Sequence, residues 1–411
     1  MRVSILTAVM SAVLTVLLAA TAFASVVELE TAARVAEATV ADRGAGQTIS
    51  RALQLSEDGR PLLTVFELEP FGFVVVSGDT DLPPVIAYSF DAGLPDRQPE
   101  EDLLFDLLRA DLRLRLEGVP ELPGAVVAEH QDAWRRLLGP RPPEPDRRGF
   151  QQWPPAGTTS TGGWLETNWR QSSPYNDQCP LDPVAGGRSV AGCPAVAIAM
   201  VLNYHGTTND TVFDDSDDYY HSYAGRSYWI DDDWAAQDFP SFPVLSASLA
   251  DLEQRYRAGL PATDADAAAL VFASGVAATQ VYTATISGTF GVDQAVDAYL
   301  KFGASGLSLV LGTDPDVYLR LADNMQRALP AHLAVLDPAG SAGHNLVVDG
   351  FNSDDYFHLN FGWGGSANGW YLLPDQIPYN LTVVDGVVLD ITLPLFRDGF
   401  ETGDTQRWSS L

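Results

Sequence analysis

The chain has 411 residues, of which 54 are acidic and 24 basic, and its formal net charge is −30. A surface this acidic repels the phosphates of nucleic acids and the headgroups of anionic membranes, so neither is expected as a partner. The length accommodates two or three domains of about 100–200 residues each. The chain contains two cysteines, Cys179 and Cys193, which are too few for a disulfide scaffold.

The first 24 residues have the pattern of a secretory signal peptide. Arg2 supplies the positive start, residues 12–20 are apolar, and residues 22–24, Ala-Phe-Ala, form a small-x-small cleavage site. No later stretch approaches the about 20 apolar residues that a membrane-spanning helix needs. We therefore expect a secreted protein, extracellular or periplasmic, without a membrane span.

Residues 25–140 are predicted to form a first unit that mixes helices and strands. Its start is rich in alanine and valine and predicts a helix over 27–41, and two apolar runs, over 62–68 and 72–79, predict strands joined by a turn. Leucines with i, i+3 and i+4 spacing over 100–117 predict an amphipathic helix.

A proline-rich segment over 141–152 follows the first unit and is predicted to be a linker. Because proline blocks the hydrogen bonds of helices and sheets, the segment should be extended, exposed and open to proteolysis. Residues 153–395 carry most of the Trp and Tyr residues and form the predicted second unit. This unit is expected to have strands in its last third and helices over 195–204, 246–257, 264–274 and 316–328. Residues 396–411 are expected to be a separate C-terminal tail motif.

Cys193 opens a run that predicts a buried helix. Pro194 suits the first turn of a helix, and residues 195–204 carry no charge. The positive end of the helix dipole favours the thiolate form, so Cys193 is a candidate nucleophile with a lowered pKa. Two alternatives stay open: a small buried cysteine without a chemical role, or a disulfide with Cys179, which lies 14 residues away.

His344 is the candidate partner of this thiol, because a thiolate nucleophile needs an imidazole to carry its proton. Residues 343–350 predict a strand that ends at a turn, and residues 356–361 predict the strand that returns beside it. Two registers of this hairpin are open, and they place either Asn360 or Phe361 opposite His344. The histidines that have no other catalytic cue are His130, His205, His221 and His332.

Five motifs occur in an order that resembles the streptopain-like cysteine peptidases, secreted bacterial relatives of papain. Residues 169–176 read WRQSSPYN against the family's W-x-Q-x-x-P-Y-N, and residues 192–205 match its G-C helix that ends in Y-H. Residues 343–350 resemble its G-H-A-F-V-V-D-G, and residues 360–369 resemble its N-W-G-W-G-G…G. Residues 72–89 resemble part of the family's inhibitory propeptide.

The resemblance implies a papain-like peptidase domain, with a helical part and an antiparallel β part, preceded by an α+β inhibitory propeptide domain. It implies that Cys193 is the nucleophile and His344 the general base and acid, present as an ion pair before substrate arrives. It also implies that Gln171 and the backbone N–H of Cys193 donate hydrogen bonds to the oxyanion.

The same resemblance implies that Asn360 orients the catalytic histidine and that Trp363 covers the pair, with Gly343 and Phe361 as supporting residues. Two of the family's residues are replaced near the histidine. Phe361 stands where the family has tryptophan, and Asn345 stands where it has a small apolar residue. Both replacements bear on catalytic efficiency more than on the type of reaction.

The predicted function is therefore a secreted cysteine endopeptidase made as a zymogen, with proteins or peptides as substrates and its own propeptide as an intramolecular inhibitor. One alternative is a weak or inactive binding or adhesion protein that keeps the peptidase fold. Another is transfer of the acyl group to an amine or thiol instead of water. No cofactor or metal is expected, because the acidic runs at 214–218 and 231–233 lack calcium-loop spacing and no zinc or phosphate-binding motif occurs.

Overall fold

The structure is a computed structural model that describes residues 26–44, 46–96, 100–140, 149–337, 339–340, 343–373 and 384–393. The predicted signal peptide, residues 141–148 of the predicted linker and the predicted tail lie outside these ranges. No helix in the described ranges is long and apolar enough to cross a membrane.

The first unit is α+β, as predicted, and contains more elements than the sequence indicated. The predicted helices and strands occur within a few residues of their expected bounds. Strands β1 and β4 and helix α3 were not predicted. Strand β1 gives a weak signal because it is largely exposed and lacks a regular apolar alternation. The elements are α1 (Leu29–Arg43), β1 (Thr48–Glu57), β2 (Arg60–Glu69), β3 (Phe73–Ser77), β4 (Val85–Ser89), α2 (Glu100–Gly118) and α3 (Gly124–Leu138).

The second unit has a helical half followed by a half built from antiparallel strands. The four helices expected from the sequence are α4, α6, α7 and α9, and α5 and α8 were not predicted. The elements are β5 (Gln152–Trp153), α4 (Cys193–His205), β6 (Tyr220–Tyr223), β7 (Arg226–Trp229), α5 (Trp234–Gln237), α6 (Phe242–Arg257), α7 (Asp264–Ala277), α8 (Asp293–Lys301), β8 (Ser308–Leu311), α9 (Val317–Gln326), β9 (Ala331–Leu336), β10 (Gly343–Asn352), β11 (Phe357–Asn360), β12 (Gly369–Tyr371) and β13 (Val384–Leu389).

One antiparallel sheet runs through both units. Within the described ranges it has 11 strands in the order β1-β2-β3-β4-β12-β11-β10-β9-β13-β8, with β5 paired to β10. The two units meet where β4 pairs with β12, with Trp370 opposite Tyr88 and Tyr371 opposite Ala87. Backbone pairing between the units therefore continues directly into the strands that carry the candidate site.

Side chains add to this junction. Arg115 of α2 donates to the carbonyl of Leu372, and the Tyr356 hydroxyl donates to the carbonyl of Val85 at 2.7 Å. One hydrophobic core contains leucines of β2 and α2 together with Leu346, Phe361 and Trp363 of the second unit. The first unit is thus packed against the same strands and loop that surround His344.

Candidate active site

Cys193 lies at the first residue of α4, where the sequence placed it. Residues 194–202 of this helix are all buried, and Gly206 ends the helix in the left-handed conformation. This helix packs mainly against α7 and β10, and its apolar residues belong to the core of the helical half. Packing on all sides therefore holds the sulfur-bearing end of α4 in place.

The turn before Cys193 depends on a glycine and a buried glutamine. Gly192 has φ 85° and ψ 132°, a conformation that residues with a Cβ rarely adopt. The Gln280 amide donates from Nε2 to the carbonyl of Ala191 at 2.8 Å, and a Cβ added to Gly192 would lie 2.5 Å from Gln280 Oε1. The absence of a side chain at Gly192 thus allows Gln280 to hold the backbone just ahead of the thiol.

The thiol of Cys193 is held in its neutral form. Desolvation raises its pKa above the ordinary value, and hydrogen bonds from Asn345 offset this only in part. The backbone N–H of Asn345 lies 3.4 Å from Sγ. The expectation of a lowered thiol pKa is therefore wrong for this state of the chain, because burial outweighs the donors around the sulfur. No disulfide forms, since Cys179 and Cys193 are both free.

His344 is the second residue of β10 and is buried. Its Nε2 lies 2.7 Å from the carbonyl oxygen of Phe361, and its ring centroid lies 4.7 Å from that of Trp363. Burial lowers the pKa of His344 to about 4, the Phe361 carbonyl raises it, and the nearby His332 lowers it further. The imidazole is therefore neutral at neutral pH.

Both hairpin registers considered from the sequence are wrong. The structure pairs Val347 with Asn360 and Gly350 with His358, with an irregularity between Val348 and Gly350. The strand runs on to Asn352, whose side-chain oxygen accepts from the N–H groups of Asp354 and Tyr356 and so moves the turn further along the chain. Neither Asn360 nor Phe361 is His344's cross-strand partner as a result.

Asn360 does not orient His344 directly, which corrects the expectation for this residue. Its Nδ2 donates to the carbonyl of Thr167 at 2.9 Å, and its Oδ1 accepts from the N–H of Gly362 at 3.1 Å. These bonds shape the loop after β11, in which the carbonyl of Phe361 meets the imidazole. Asn360 thus positions the acceptor of His344 and not the imidazole itself.

The remaining candidates surround these two residues. The carbonyl of Gln171 accepts from the N–H of Ala191 at 2.9 Å, so Gln171 lies beside the turn that leads into Cys193. Trp363 is buried against the imidazole, and its Nε1 has no hydrogen-bond partner within the described part of the chain. Gly343 is exposed at the start of β10.

The structure does not bring Cys193 and His344 together. Both residues lie in the described ranges, and no hydrogen bond joins them. The Cys193 sulfur accepts from the backbone N–H of Asn345, whereas the imidazole of His344 contacts Phe361 and Trp363. The ion pair implied by the resemblance is therefore not formed in the full-length chain.

Sequence reasoning gave His332 no role, yet the structure links it to the site. Its Nε2 lies 2.7 Å from Asn345 Oδ1, and its Nδ1 lies 3.3 Å from the Tyr299 hydroxyl. The alternation of a strand was the available signal, because it predicts that Asn345 and His344 face opposite sides. The long-range contact from β9 to β10 had no signal in the sequence.

The first unit also contributes to the surface beside Trp363. The carbonyl of Gly93 accepts from the N–H of Ala367 at 2.8 Å. A cavity next to the indole of Trp363 is lined by residues of both units, namely Pro95, Asp96, Arg170, Ser172, Trp363, Gly364 and Ser366. In the part of the chain that the structure describes, no group of three or more His, Cys, Asp or Glu side chains could hold a metal ion.

Comparisons with known proteins find matches to both units of the chain. The model of the Peptidase C10 family matches residues 169–371, and that of the Spi protease inhibitor matches residues 23–110. Streptopain of Streptococcus pyogenes is 21% identical over 333 residues, which are 75% of this chain and 73% of that protein. The thiol protease/hemagglutinin PrtT of Porphyromonas gingivalis is 26% identical over 318 residues, 74% of this chain and 33% of that protein.

The fold is also that of a solved structure. A prointerpain A fragment from Prevotella intermedia matches with a TM-score of 0.54 at 20% identity, covering 84% of this chain and 99% of that one. The two family matches account for the two units, the first as an inhibitor-like propeptide domain and the second as a peptidase domain. The chain belongs to the streptopain-like cysteine peptidases.

Proposed function

We propose that this peptidase is an exported endopeptidase made as an inactive zymogen, with Cys193 as its nucleophile and His344 as its general base and acid. The observation that carries the proposal is the contact between the start of α4 and the start of β10. The residue directly after His344 donates its backbone N–H to the Cys193 sulfur. The start of the strand that carries His344 therefore lies directly against the thiol.

The reaction would be acyl transfer through a thioester. Cys193 attacks the peptide carbonyl and its thiol proton passes to His344, which then protonates the leaving amine. Water hydrolyses the thioester with His344 as the base, and the thiol is restored. The Cys193 N–H and the Gln171 side chain would stabilise the oxyanion, where losing one donor typically costs about 3–4 kcal/mol.

The zymogen state is supported by the neutral forms of the Cys193 thiol and the His344 imidazole. In the full-length chain the thiol and the imidazole are both neutral and are not joined. The first unit pairs with β12 and shares a core with Phe361 and Trp363, so it holds the surroundings of His344 in the resting arrangement. Cleavage in the linker over 141–152 would release this hold, and export would follow from the signal peptide over 1–24.

The test is self-processing of the purified full-length chain in reductant, followed by gel electrophoresis and mass spectrometry. Cys179→Ala is the matched control, because Cys179 is fully buried and its pKa is raised to about 12, which excludes it as a nucleophile. Wild type and Cys179→Ala should shorten to a form that begins near Phe150, and Cys193→Ala should stay whole. Equal shortening of Cys193→Ala, with no other protease present, would remove Cys193 as the nucleophile.

The second candidate function is a binding protein that keeps the peptidase fold. It is favoured by the separation of Cys193 and His344 and by the unusual Asn345 beside the sulfur. Under this function the processed chain, cut in the linker by an added protease, cleaves no peptide. An epoxide inhibitor that reacts with activated thiols would then leave Cys193 unmodified after the cut.

A further inference from the structure

Three buried or partly buried side chains form a chain of hydrogen bonds that ends at the Cys193 sulfur. The Tyr299 hydroxyl lies 3.3 Å from Nδ1 of His332, and Nε2 of His332 lies 2.7 Å from Asn345 Oδ1. The backbone N–H of Asn345 donates to the sulfur at 3.4 Å, and hydrogen bonding from the Asn345 side chain also lowers the pKa of the thiol. Tyr299 and His332 are fully buried, and among the described residues their side chains hydrogen-bond only to one another and to Asn345.

The proton positions in this chain follow from what each group can donate. Asn345 Oδ1 is an acceptor only, so Nε2 of His332 must carry the proton. A neutral imidazole then has a lone pair on Nδ1, which accepts from the Tyr299 hydroxyl. With its oxygen held by His332, the Asn345 amide keeps its NH₂ group free to donate, and hydrogen bonding from this side chain lowers the pKa of the thiol. The network therefore defines one orientation of this amide.

We propose that Asn345, aligned by His332 and Tyr299, is a positioning residue that holds the start of β10 in the arrangement that keeps His344 away from Cys193. This inference rests on the proposed function and assigns the regulation of the same site. Asn345 and His344 are neighbours in one strand and their side chains face opposite sides, and in this arrangement the sulfur is hydrogen-bonded by Asn345 and not by His344. The imidazole reaches the thiol when Asn345 leaves His332.

The required movement is local. Val347 and Val348 are fully buried on the two faces of β10, in the two large cores, and hold the middle of the strand. A bulge within residues 343–345 would turn the end of the strand by one residue without moving those valines. The bond between His332 and Asn345 opposes this bulge directly, because it joins the side chain that must leave to the neighbouring strand β9.

The experiment measures the rate at which iodoacetamide alkylates Cys193 in the full-length chain, read by peptide mass spectrometry. Cys179 in the same molecule is the internal control for folding, because it is fully buried and becomes reactive only when the chain opens. We expect Asn345→Ala to label Cys193 at least about five times faster than wild type while Cys179 stays protected. His332→Leu should accelerate labelling to a smaller extent, and His332→Gln, which keeps an amide donor for Asn345, should return the rate to that of wild type.

A double variant identifies the cause of the acceleration. If the gain comes from pairing of the imidazole with the thiol, Asn345→Ala combined with His344→Gln labels as slowly as wild type. A gain that persists in the double variant means that the sulfur was only uncovered, and it overturns the proposal. A rate for Asn345→Ala at or below that of wild type also overturns it, since Asn345 then acts only as a donor to the thiol.

The measurement is separate from peptide cleavage. A wild type that does not process itself, and that cleaves no peptide after an added protease has cut the linker, contradicts the proposed peptidase activity. A wild type that processes itself while Asn345→Ala shows no faster labelling contradicts the positioning role of Asn345 alone. Equal rates for His332→Leu and wild type remove His332 from the mechanism.

Discussion

The two candidate reacting residues are held by very different parts of the molecule. Cys193 begins a helix whose next nine residues are buried, and the Gln280 amide fixes the turn before it. His344 is the second residue of a strand, and the backbone ladder with β9 begins there, where Gly343 pairs with Leu336. Dense packing allows the helix one position, whereas a one-residue change in strand pairing turns a side chain to the other face. The position of the nucleophile is thus fixed by the packing of its helix, whereas the position of the base depends on the strand pairing at the start of β10.

The described residues of the propeptide domain pack on only one side of this site. The core that contains Phe361 and Trp363 also contains leucines of β2 and α2, whereas the core around α4 is formed by the second unit alone. The core contacts of the propeptide are therefore on the histidine side of the site.

The largest effect should come from removing the base. We expect His344→Gln to lower kcat/KM of the processed enzyme about 1,000-fold, because proton transfer by a positioned side chain contributes about 10²–10⁴-fold. The measurement is hydrolysis of a fluorogenic peptide. His205→Gln, at the far end of α4 from Cys193, is the matched control and should retain activity. Equal activity of His344→Gln and His205→Gln would mean that His344 is not the general base.

The second prediction concerns stability in acid. Burial lowers the pKa values of His344 and His332 to about 4, and both return to about 6.5 on unfolding. The unfolded chain therefore takes up protons first as pH falls from about 6.5 to 4, and the folded state loses about 3 kcal/mol for each histidine.

Urea unfolding of the Cys193→Ala full-length chain at pH 7 and pH 4.5 measures this loss, since that variant cannot process itself under the proposed mechanism. His332→Gln should lose less than its parent over the same range. The same pH dependence in both chains would mean that His332 is not buried as a neutral group.

The third prediction tests the rigid side of the site. Gly192→Ala places a Cβ 2.5 Å from Gln280 Oε1 and forces an alanine to adopt φ 85°, and we expect a loss of about 2–4 kcal/mol in unfolding free energy. Gly186→Ala is the matched control, because Gly186 has φ 75° with open space around it. Its loss should be smaller, about 1 kcal/mol, with activity retained. Equal losses would show that Gln280 yields and does not fix the turn.

The smallest effect should come from loosening the propeptide. A Cβ at Gly369 would lie 2.7 Å from the carbonyl oxygen of Tyr88 and 2.8 Å from Ser89 Cβ, both in the propeptide. Gly369→Ala should therefore weaken the contact between β4 and β12 by about 1–3 kcal/mol and speed self-processing about tenfold. After processing, variant and wild type should hydrolyse peptide equally well. A slower mature variant would place the defect in the peptidase domain instead.

The sequence predicted the cysteine side of the site better than the histidine side. A proline after Cys193 and an uncharged run define α4 by local rules, and the helix was found within two residues of its expected bounds. The register of the hairpin from β10 to β11 was predicted wrongly. Its turn depends on hydrogen bonds to the Asn352 side chain, which the neighbouring residues do not predict. The raised pKa of the thiol could not be predicted either. The helix dipole can be inferred from the local sequence, whereas desolvation depends on which residues of the folded chain pack around Cys193.

The central claim is that the thiol and the imidazole are apart in the full-length chain and paired after processing. The most direct measurement is the ultraviolet absorbance of thiolate at neutral pH, recorded on the full-length chain before processing and again on the processed chain, with Cys193→Ala subtracted. Cys179 adds nothing to the signal, because its pKa is raised to about 12. We predict no thiolate before processing and one after it, lost again in His344→Gln. A thiolate already present in the full-length chain would contradict the account.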